Sequence, residues 1–381
     1  MKKLIVLLLV ALLVTGMFTA CRAEDPSAPT PEVTPAPATP MPTPTPEPEP
    51  TPHPNAADIR IAWIEPSPAS ISHNGDYRGG WLGIQRFLDS HGLSADNVER
   101  FQPHADSDEA RIDLITDAID WWDANIIVMQ SNHFTNASAV VQDMFPDVKF
   151  ILLDATPADG PAENLVAIHF AEEQAGFLAG YAAVMDGHRS LGFMGGIAVP
   201  SVVRYGYGFL YGADYAAAAL NLAEGEVTVR YTYLGNFAPS PEHVMMAAAW
   251  FEDGVEVIFA AAGGGNFSVI SAAHNAGALV IGTDDDQAGA GGVVLTSAMK
   301  MLNVAVYDML TDILYDEFIG GRILRFDASN DGVGLPMDTS RFQTFTQAQY
   351  DAIFGLLADG TVVVDDTHHE IVLHLVVVYE V

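Results

Sequence analysis

A stretch reading VEVIFAAAGGGNFSVISAAHNAGALVIGTDDDQ, residues 255–287, leaves this chain few folds to choose from. Two short apolar runs rich in β-branched residues, 255–262 and 278–282, flank a segment, 267–275, with Phe267, Val269, Ile270 and Ala273 at helical spacing. Gly277 stands where a helix ends in a left-handed turn. Two buried strands bracketing a helix make a right-handed parallel unit, whose sheet must be covered on both faces. Both strands run out into non-apolar tips, Gly263–Gly265 in one case and Asp284, Asp285, Asp286 and Gln287 in the other. In open α/β sheets such carboxyl-terminal tips form the ligand crevice. One tip offers bare backbone N–H groups and the other carboxylates. That pairing suits a polyhydroxyl ligand with N–H donors better than a phosphate.

The same alternation of strand and helix runs on both sides of this unit, from Asp58 onward. Strands are expected at 59–64, 125–130, 148–153, 164–170, 190–194, 227–234 and 292–295, and near Ile323. Helices are expected at 81–88, 171–185, 203–222, 302–318 and 346–357, with a short one ending at Phe145. Asp106 with Glu109 three residues on reads as a capping box for a helix carrying Ile112, Ile115, Ile119 and Trp122. Ser240 and Pro241 open another helix in the favoured N-cap and N1 arrangement, and Gly254 closes it. The fold class is α/β, with helices on both sides of parallel sheets. Two sheets fit better than one, because a single twisted sheet seldom holds so many strands.

The ends of the chain read differently. Lys2 and Lys3 precede an apolar run, 4–14, too short to span a bilayer, so residues 1–20 are expected to be an export signal. Cys21, after Phe18, Thr19 and Ala20, resembles the cysteine of a bacterial lipobox, which would be lipidated and become the mature N-terminus. The alternative is an ordinary secretory signal with Cys21 incidental. Residues 21–57 are then a tether, whose Pro-rich part, 25–54, is extended polyproline II reaching roughly 90 Å at 3.1 Å per residue. Cys21 is the only cysteine, so no internal disulfide can form. A formal charge of −33 argues against nucleic acid and against electrostatic docking on anionic lipid.

Several motifs in order carry a family resemblance. AEEQAGFLAGYAA (171–183), GFMGG (192–196) with Val199 and Pro200, GFLYGA (208–213), VIFAAAGGG, IGTDDDQ, LTSAMK (295–300), GGRILRF and DGVGLP together resemble the basic-membrane-protein family of substrate-binding lipoproteins. The resemblance covers roughly residues 59–366. It implies a type I periplasmic-binding-protein fold: two Rossmann-like lobes joined by crossing strands, closing on ligand about a hinge. Lobe one is expected at 58–169 plus 292–318, and lobe two at 170–291 plus 319–381. The best-understood branch of the family binds purine nucleosides for an ABC importer. By motif, Asp284 would chelate ribose hydroxyls, Lys300 would bond the sugar and offset that carboxylate's burial, Gly263 and Gly264 would let backbone reach the ligand, and Phe237 would stack on the base. The resemblance further implies a monomer, extracytoplasmic and lipid-anchored, with ABC permease subunits as partners and no cofactor.

Departures cluster where the base would lie. In place of the family's first loop stand His73, Asn74, Gly75, Asp76 and Tyr77, with Tyr77 expected as the aromatic and Asn74 or Asp76 as the polar partner. After the strand at 125–130 the chain reads Ser131, Asn132, His133, Phe134, and Asn132 and His133 either face the base or are solvated turn residues. Ala238 and Pro239 follow Phe237 where an acidic residue is usual. No metal site is expected: His369 and His374 are five apart rather than four, and the loop from Asp327 to Asp338 lacks the terminal Glu of a calcium loop. No nucleophile elbow, Walker loop or complete dinucleotide fingerprint is present, so an enzyme such as a nucleosidase is the weaker reading. The rival from another class is a ligand-sensing lipoprotein that signals to a partner.

Overall fold

The computed structural model describes residues 54–68, 78–366 and 372–381. Cys21, the export signal, the tether up to residue 53, and Asn74 and Tyr77 lie outside the described residues. Thirteen strands and nine α-helices are described. The first half of the chain supplies β1 (Ile61–Ile64), α1 (Arg78–His91), β2 (Val98–Phe101), α2 (Asp108–Trp122), β3 (Ile126–Gln130), α3 (Thr135–Met144), β4 (Lys149–Leu153) and β5 (Leu165–Phe170). There follow α4 (Glu172–Met185), β6 (Ser190–Gly195), α5 (Pro200–Ala219), β7 (Val227–Tyr233), α6 (Pro241–Glu252), β8 (Val257–Ala261), α7 (Asn266–Ala276) and β9 (Leu279–Asp284). The chain ends with β10 (Val294–Lys300), α8 (Leu302–Leu314), β11 (Arg322–Phe326), β12 (Val333–Gly334), α9 (Gln347–Ala358) and β13 (Val376–Glu380).

Local chemistry explains several helix ends. Ser240 and Thr346 accept the backbone N–H of His243 and Gln349 as N-caps, and Gly277 closes α7 at φ 66°. The cap of α2 differs from expectation. Ser107, one residue later than Asp106, accepts the Ala110 N–H, and Asp106 instead pairs with the buried Arg111 guanidinium. Arg111 is held further by the Pro66 carbonyl. A buried cation recruits the nearest carboxylate, which leaves the cap to the hydroxyl beside it.

Two sheets result. The first runs β11-β5-β4-β3-β1-β2 and is parallel throughout. The second runs β12-β10-β9-β8-β6-β7-β13 and is parallel except for β12 on β10. An apolar core beneath α2 and α3 covers one face of the first sheet, another beneath α6 and α7 covers one face of the second, and a third includes side chains of both sheets. β2 went unread because its four residues, Val98, Glu99, Arg100 and Phe101, form a half-exposed edge with no apolar run.

The expected lobe boundaries need correcting at two strands. Residues 294–300, placed with the first lobe by sequence, belong to the second sheet beside β9. Residues 322–326, placed with the second lobe, pair with β5 in the first sheet. The chain therefore changes sheet at 170–172, 300–302 and 326–333, after β5, β10 and β11. These crossovers are tied together: Ala171 N–H donates to Phe326 O (2.9 Å), Met301 N–H to Gly332 O (2.9 Å) and Ala328 N–H to the Gln174 side chain (2.8 Å).

The C-terminal region is fastened by two buried carboxylates. Asp186 accepts the N–H groups of Gln343, Thr344 and Phe345 at 2.8, 2.6 and 2.9 Å. Asp214 accepts those of His374, Leu375 and Val376 at 3.1, 2.7 and 2.9 Å, which sets β13 against β7.

α4 and α5 pack backbone to backbone. A Cβ on Gly176 or Gly180 would lie 2.2 Å from Tyr205 O or 2.1 Å from Phe209 O, and one on Gly208 or Gly212 would lie 2.0 Å from Glu173 O or 1.9 Å from Phe177 O. The obstacles are carbonyls of a neighbouring helix, which cannot rotate aside. For Gly180→Ala, helix propensity contributes up to about 1 kcal/mol in favour, but the clash costs about 1–3 kcal/mol or more. The variant is expected to lower the unfolding temperature in calorimetry. An unchanged value would mean that the two helices can part freely.

Candidate ligand site at the sheet crossovers

Asp284 ends β9 and Asp154 follows β4, so the carboxylates come from different sheets. Both residues are left-handed, at φ 67° and 61°. Aspartate is among the few side chains that tolerate this conformation. Between them stands Lys300, the last residue of β10 and 5% exposed. Its Nζ lies 3.0 Å from each Asp154 oxygen, 3.1 Å from Asp284 Oδ1 and 3.6 Å from Glu172 Oε1. Lys300 and Glu172 sit at two of the crossovers, so one ammonium group links both sheets at the point where the chain passes between them.

A second layer fixes the cluster. The Tyr205 hydroxyl reaches Asp284 Oδ1 (3.2 Å) and Ala298 O (3.3 Å), and Arg204 binds Glu172 Oε2 at 2.7 Å. Asp284 Oδ2 has no hydrogen-bond partner among the described residues, and this side chain keeps 29% of its surface exposed. Asp284 thus has one oxygen anchored and one open.

The glycine turn is built for close approach. Gly263 has φ 52°, and Gly264 and Gly265 are buried. Asn266 accepts the Ala262 N–H and donates to Thr283 Oγ1 (3.0 Å), which joins the turn to β9. Gly265 N–H donates to Phe237 O (2.9 Å). The Phe237 ring lies over Gly196, where a Cβ would sit 2.3 Å from Cδ1, and 37% of the residue is exposed. Gly196 is glycine because this ring occupies the space.

The two sequence candidates after β3 are held differently. Asn132 and His133 are exposed on a short turn, where Asn132 Oδ1 accepts from the Ser131 hydroxyl and the His133 N–H donates to it. Neither bonds to the Lys300 cluster. Sequence reasoning missed Asp154, Glu172, Arg204 and Tyr205. The first carried a usable signal, since Asp154 ends the apolar run at Leu153 as Asp284 ends that at Gly282. A separate cavity of about 530 Å³, lined by Gln174, Arg325, Asp327 and residues 357–366, contains none of the candidate residues. Its one guanidinium, Arg325, is already paired with Glu173 (2.5 Å) and Asp366 (2.7 Å).

Two parallel sheets linked by three crossovers, with polar strand tips at the junction, make this a type I periplasmic-binding-protein fold. Solved structures agree. An ABC transporter solute-binding protein from Conexibacter woesei DSM 14684 superposes with a TM-score of 0.65 at 21% identity, over 81% of this chain and 99% of that one. One from Aeropyrum pernix K1 gives 0.63 at 21% identity, over 80% of each. The chain belongs to the Bmp family of ABC transporter substrate-binding proteins: the family profile, described as PnrA-like, matches residues 67–354. Among curated relatives, Basic membrane protein A1 of Borrelia garinii subsp. bavariensis is 29% identical over 221 residues, 56% of this chain but only 63% of that protein. The CD4+ T-cell-stimulating antigen of Listeria monocytogenes serovar 1/2a is 26% identical over 309 residues, 76% of this chain and 83% of that protein. No helix among the described residues is long and apolar enough to cross a membrane.

Charge at the cluster is unbalanced: Asp154, Glu172 and Asp284 surround Lys300, with Arg204 behind. Burial, opposed by Lys300 and reinforced by Glu172 and Asp284, raises the Asp154 carboxyl to about 6. Burial alone would lower Lys300, but Asp154, Asp284 and Glu172 outweigh it and hold the ammonium charged well beyond neutral pH. Burial likewise raises Glu173 to about 7 against the pull of Arg325. In the unfolded chain Asp154 loses its proton near 3.8, and in the folded chain near about 6. Between those values the folded state holds more protons, so stability falls as pH rises. Asp154→Asn is expected to reduce this slope in urea unfolding measured from about pH 4 to 6. An equal or steeper slope would place the titration elsewhere.

Proposed function

We propose that this protein captures a purine nucleoside between its two sheets and presents it to the permease of an ABC importer. It acts as a monomer outside the cytoplasm, anchored through lipidated Cys21 and the Pro-rich segment. The observation that carries the reading is the state of Asp284. Its Oδ1 is tied to Tyr205 and Lys300, while Oδ2 remains open to accept from a sugar hydroxyl. Phe237, exposed and held to the Gly263–Gly265 turn through its backbone carbonyl, supports a stacking role, since every purine offers a π-face. Ligand contacts to Asp284 in one sheet and Asp154 in the other favour the closed form, and hinge closure is the capture step. No cofactor enters this mechanism.

The test is a thermal-shift panel on the intact protein with guanosine, inosine, adenosine, cytidine, ribose and free bases. A ligand at a hundredfold over its Kd adds about 2.7 kcal/mol, a rise of several degrees. Purine nucleosides are expected to give it, free bases and cytidine are not, and Asp284→Ala abolishes it. Shifts with ribose alone would retain the sugar role of Asp284 and discard the base pocket. Silence from every compound would overturn the nucleoside reading.

A further inference from the structure

The carboxyl edge of the first sheet holds a group of polar atoms that nothing above uses. β1 and β3 pair with Ile64 opposite Met129, so Glu65 and Gln130 are neighbours one step further on. Both are 3% exposed. Glu65 Oε2, Gln130 Oε1 and the Nε1 of Trp63 are buried with no partner at full hydrogen-bond distance among the described residues, although the Trp63 N–H faces Glu65 closely enough to favour its charged form. Buried polar atoms are rarely left unpaired, and here three lie on adjacent strands at the end of the sheet where such folds bind ligand.

Their roof is the first turn of α1. A Cβ on Gly80 would lie 2.8 Å from the Trp63 ring and 2.9 Å from Gln130 Oε1, so that turn rests on both side chains. A Cβ on Gly79 would lie 2.7 Å from Asp285 Oδ1, the residue after the proposed sugar ligand. Two consecutive glycines thus touch Gln130 on one side and the β9 tip on the other, a span of roughly 10 Å with adjacent Cα atoms 3.8 Å apart. On the other flank, Gln130 pairs with Leu153, and Asp154 follows. The unpaired atoms therefore border the strand tips that carry Asp154 and Asp284.

Resting on the nucleoside reading, we propose that Gln130 and Glu65 select the base, accepting N–H donors from a purine that carries an exocyclic amino group. Two acceptors side by side match the adjacent ring N–H and amino group of a guanine edge, and one of them can take the amino group of adenine. A purine without an exocyclic amine or ring N–H would leave both acceptors buried and unpaired on closure, and such a site rejects the ligand that lacks its partner. The indole N–H of Trp63 faces Glu65 and favours its charged, accepting form.

Calorimetric titration of the full chain with guanosine, adenosine, inosine and unsubstituted purine riboside tests this. Guanosine and adenosine are expected to bind at least about tenfold more tightly than purine riboside. Gln130→Met, which keeps the volume and removes both polar atoms, narrows that ratio, since guanosine and adenosine lose an acceptor and purine riboside no longer leaves one unpaired. Glu65→Gln, which trades an acceptor for a donor, narrows it independently. Because both variants remove or neutralise unpaired buried groups, their ligand-free unfolding temperatures should not fall, and circular dichroism checks the fold. Nucleoside binding with equal ratios in wild type and variants would overturn this inference alone, leaving the three atoms to buried water. Absence of any nucleoside binding by the wild type would overturn it together with the reading beneath it.

Discussion

One ammonium group, Lys300 Nζ, is the contact on which both halves of the molecule converge. It is buried, and burial of a lone charge is prohibitive unless opposite charge and hydrogen bonds surround it. The carboxylates that satisfy it come from the ends of β4 and β9 and from the first turn of α4. The fold cannot place Lys300 without also placing those three chain segments. This is the physical reason that the charged cluster stands at a crossover rather than on a free loop. The same ion pair that tolerates burial also sets the relative position of the strand tips that a ligand would meet.

The rigid partner to that junction is the α4–α5 pair. Contact through four glycines brings two helix backbones together without intervening side chains, so the pair has little freedom to slide. α5 carries Arg204 and Tyr205, and α4 begins with Glu172. The cluster is thus supported from the second sheet by a stiff block, while the three crossovers beside it are single strands of chain. Any relative motion of the sheets must pass through those crossovers, where the chain itself connects one sheet to the other.

Much of this was legible in the chain because the deciding signals are local. Ser240, Gly277 and Thr346 act through their own backbone neighbourhood, and the runs ending at Leu153 and Gly282 declare buried strands without reference to any partner. Asp284 was readable for the same reason, as the polar tip of an apolar run, whereas Lys300 was readable only through the family motif, the strand expected at 292–295 stopping short of it; the two lie 3.1 Å apart. What escaped depends on long-range choice. Nothing within residues 294–300 or 322–326 says which sheet they join. Ser107 displaced Asp106 as a cap only because Arg111 is buried against residues 45 positions earlier. Asp154, Tyr205 and Glu172 matter through a lysine far along the chain, and Gln130 and Glu65 through register between strands that 61 residues separate on the chain.

The exchange of β10 and β11 between the sheets has a consequence for the order in which the molecule can be made. Neither sheet is contiguous in sequence: the first is incomplete until β11 emerges, and the second until β13, whose last residue is Glu380. Pairings of such separation are slow to form, because loop closure must precede the contacts that reward it. A chain emerging from its N-terminus therefore exposes an unpaired strand edge at β5 until β11 emerges and one at β7 until β13 does. Closure of each sheet is in effect postponed until its most distant strand has been made, and a nascent chain held open in this way stays threadable for longer than one whose sheets are contiguous in sequence.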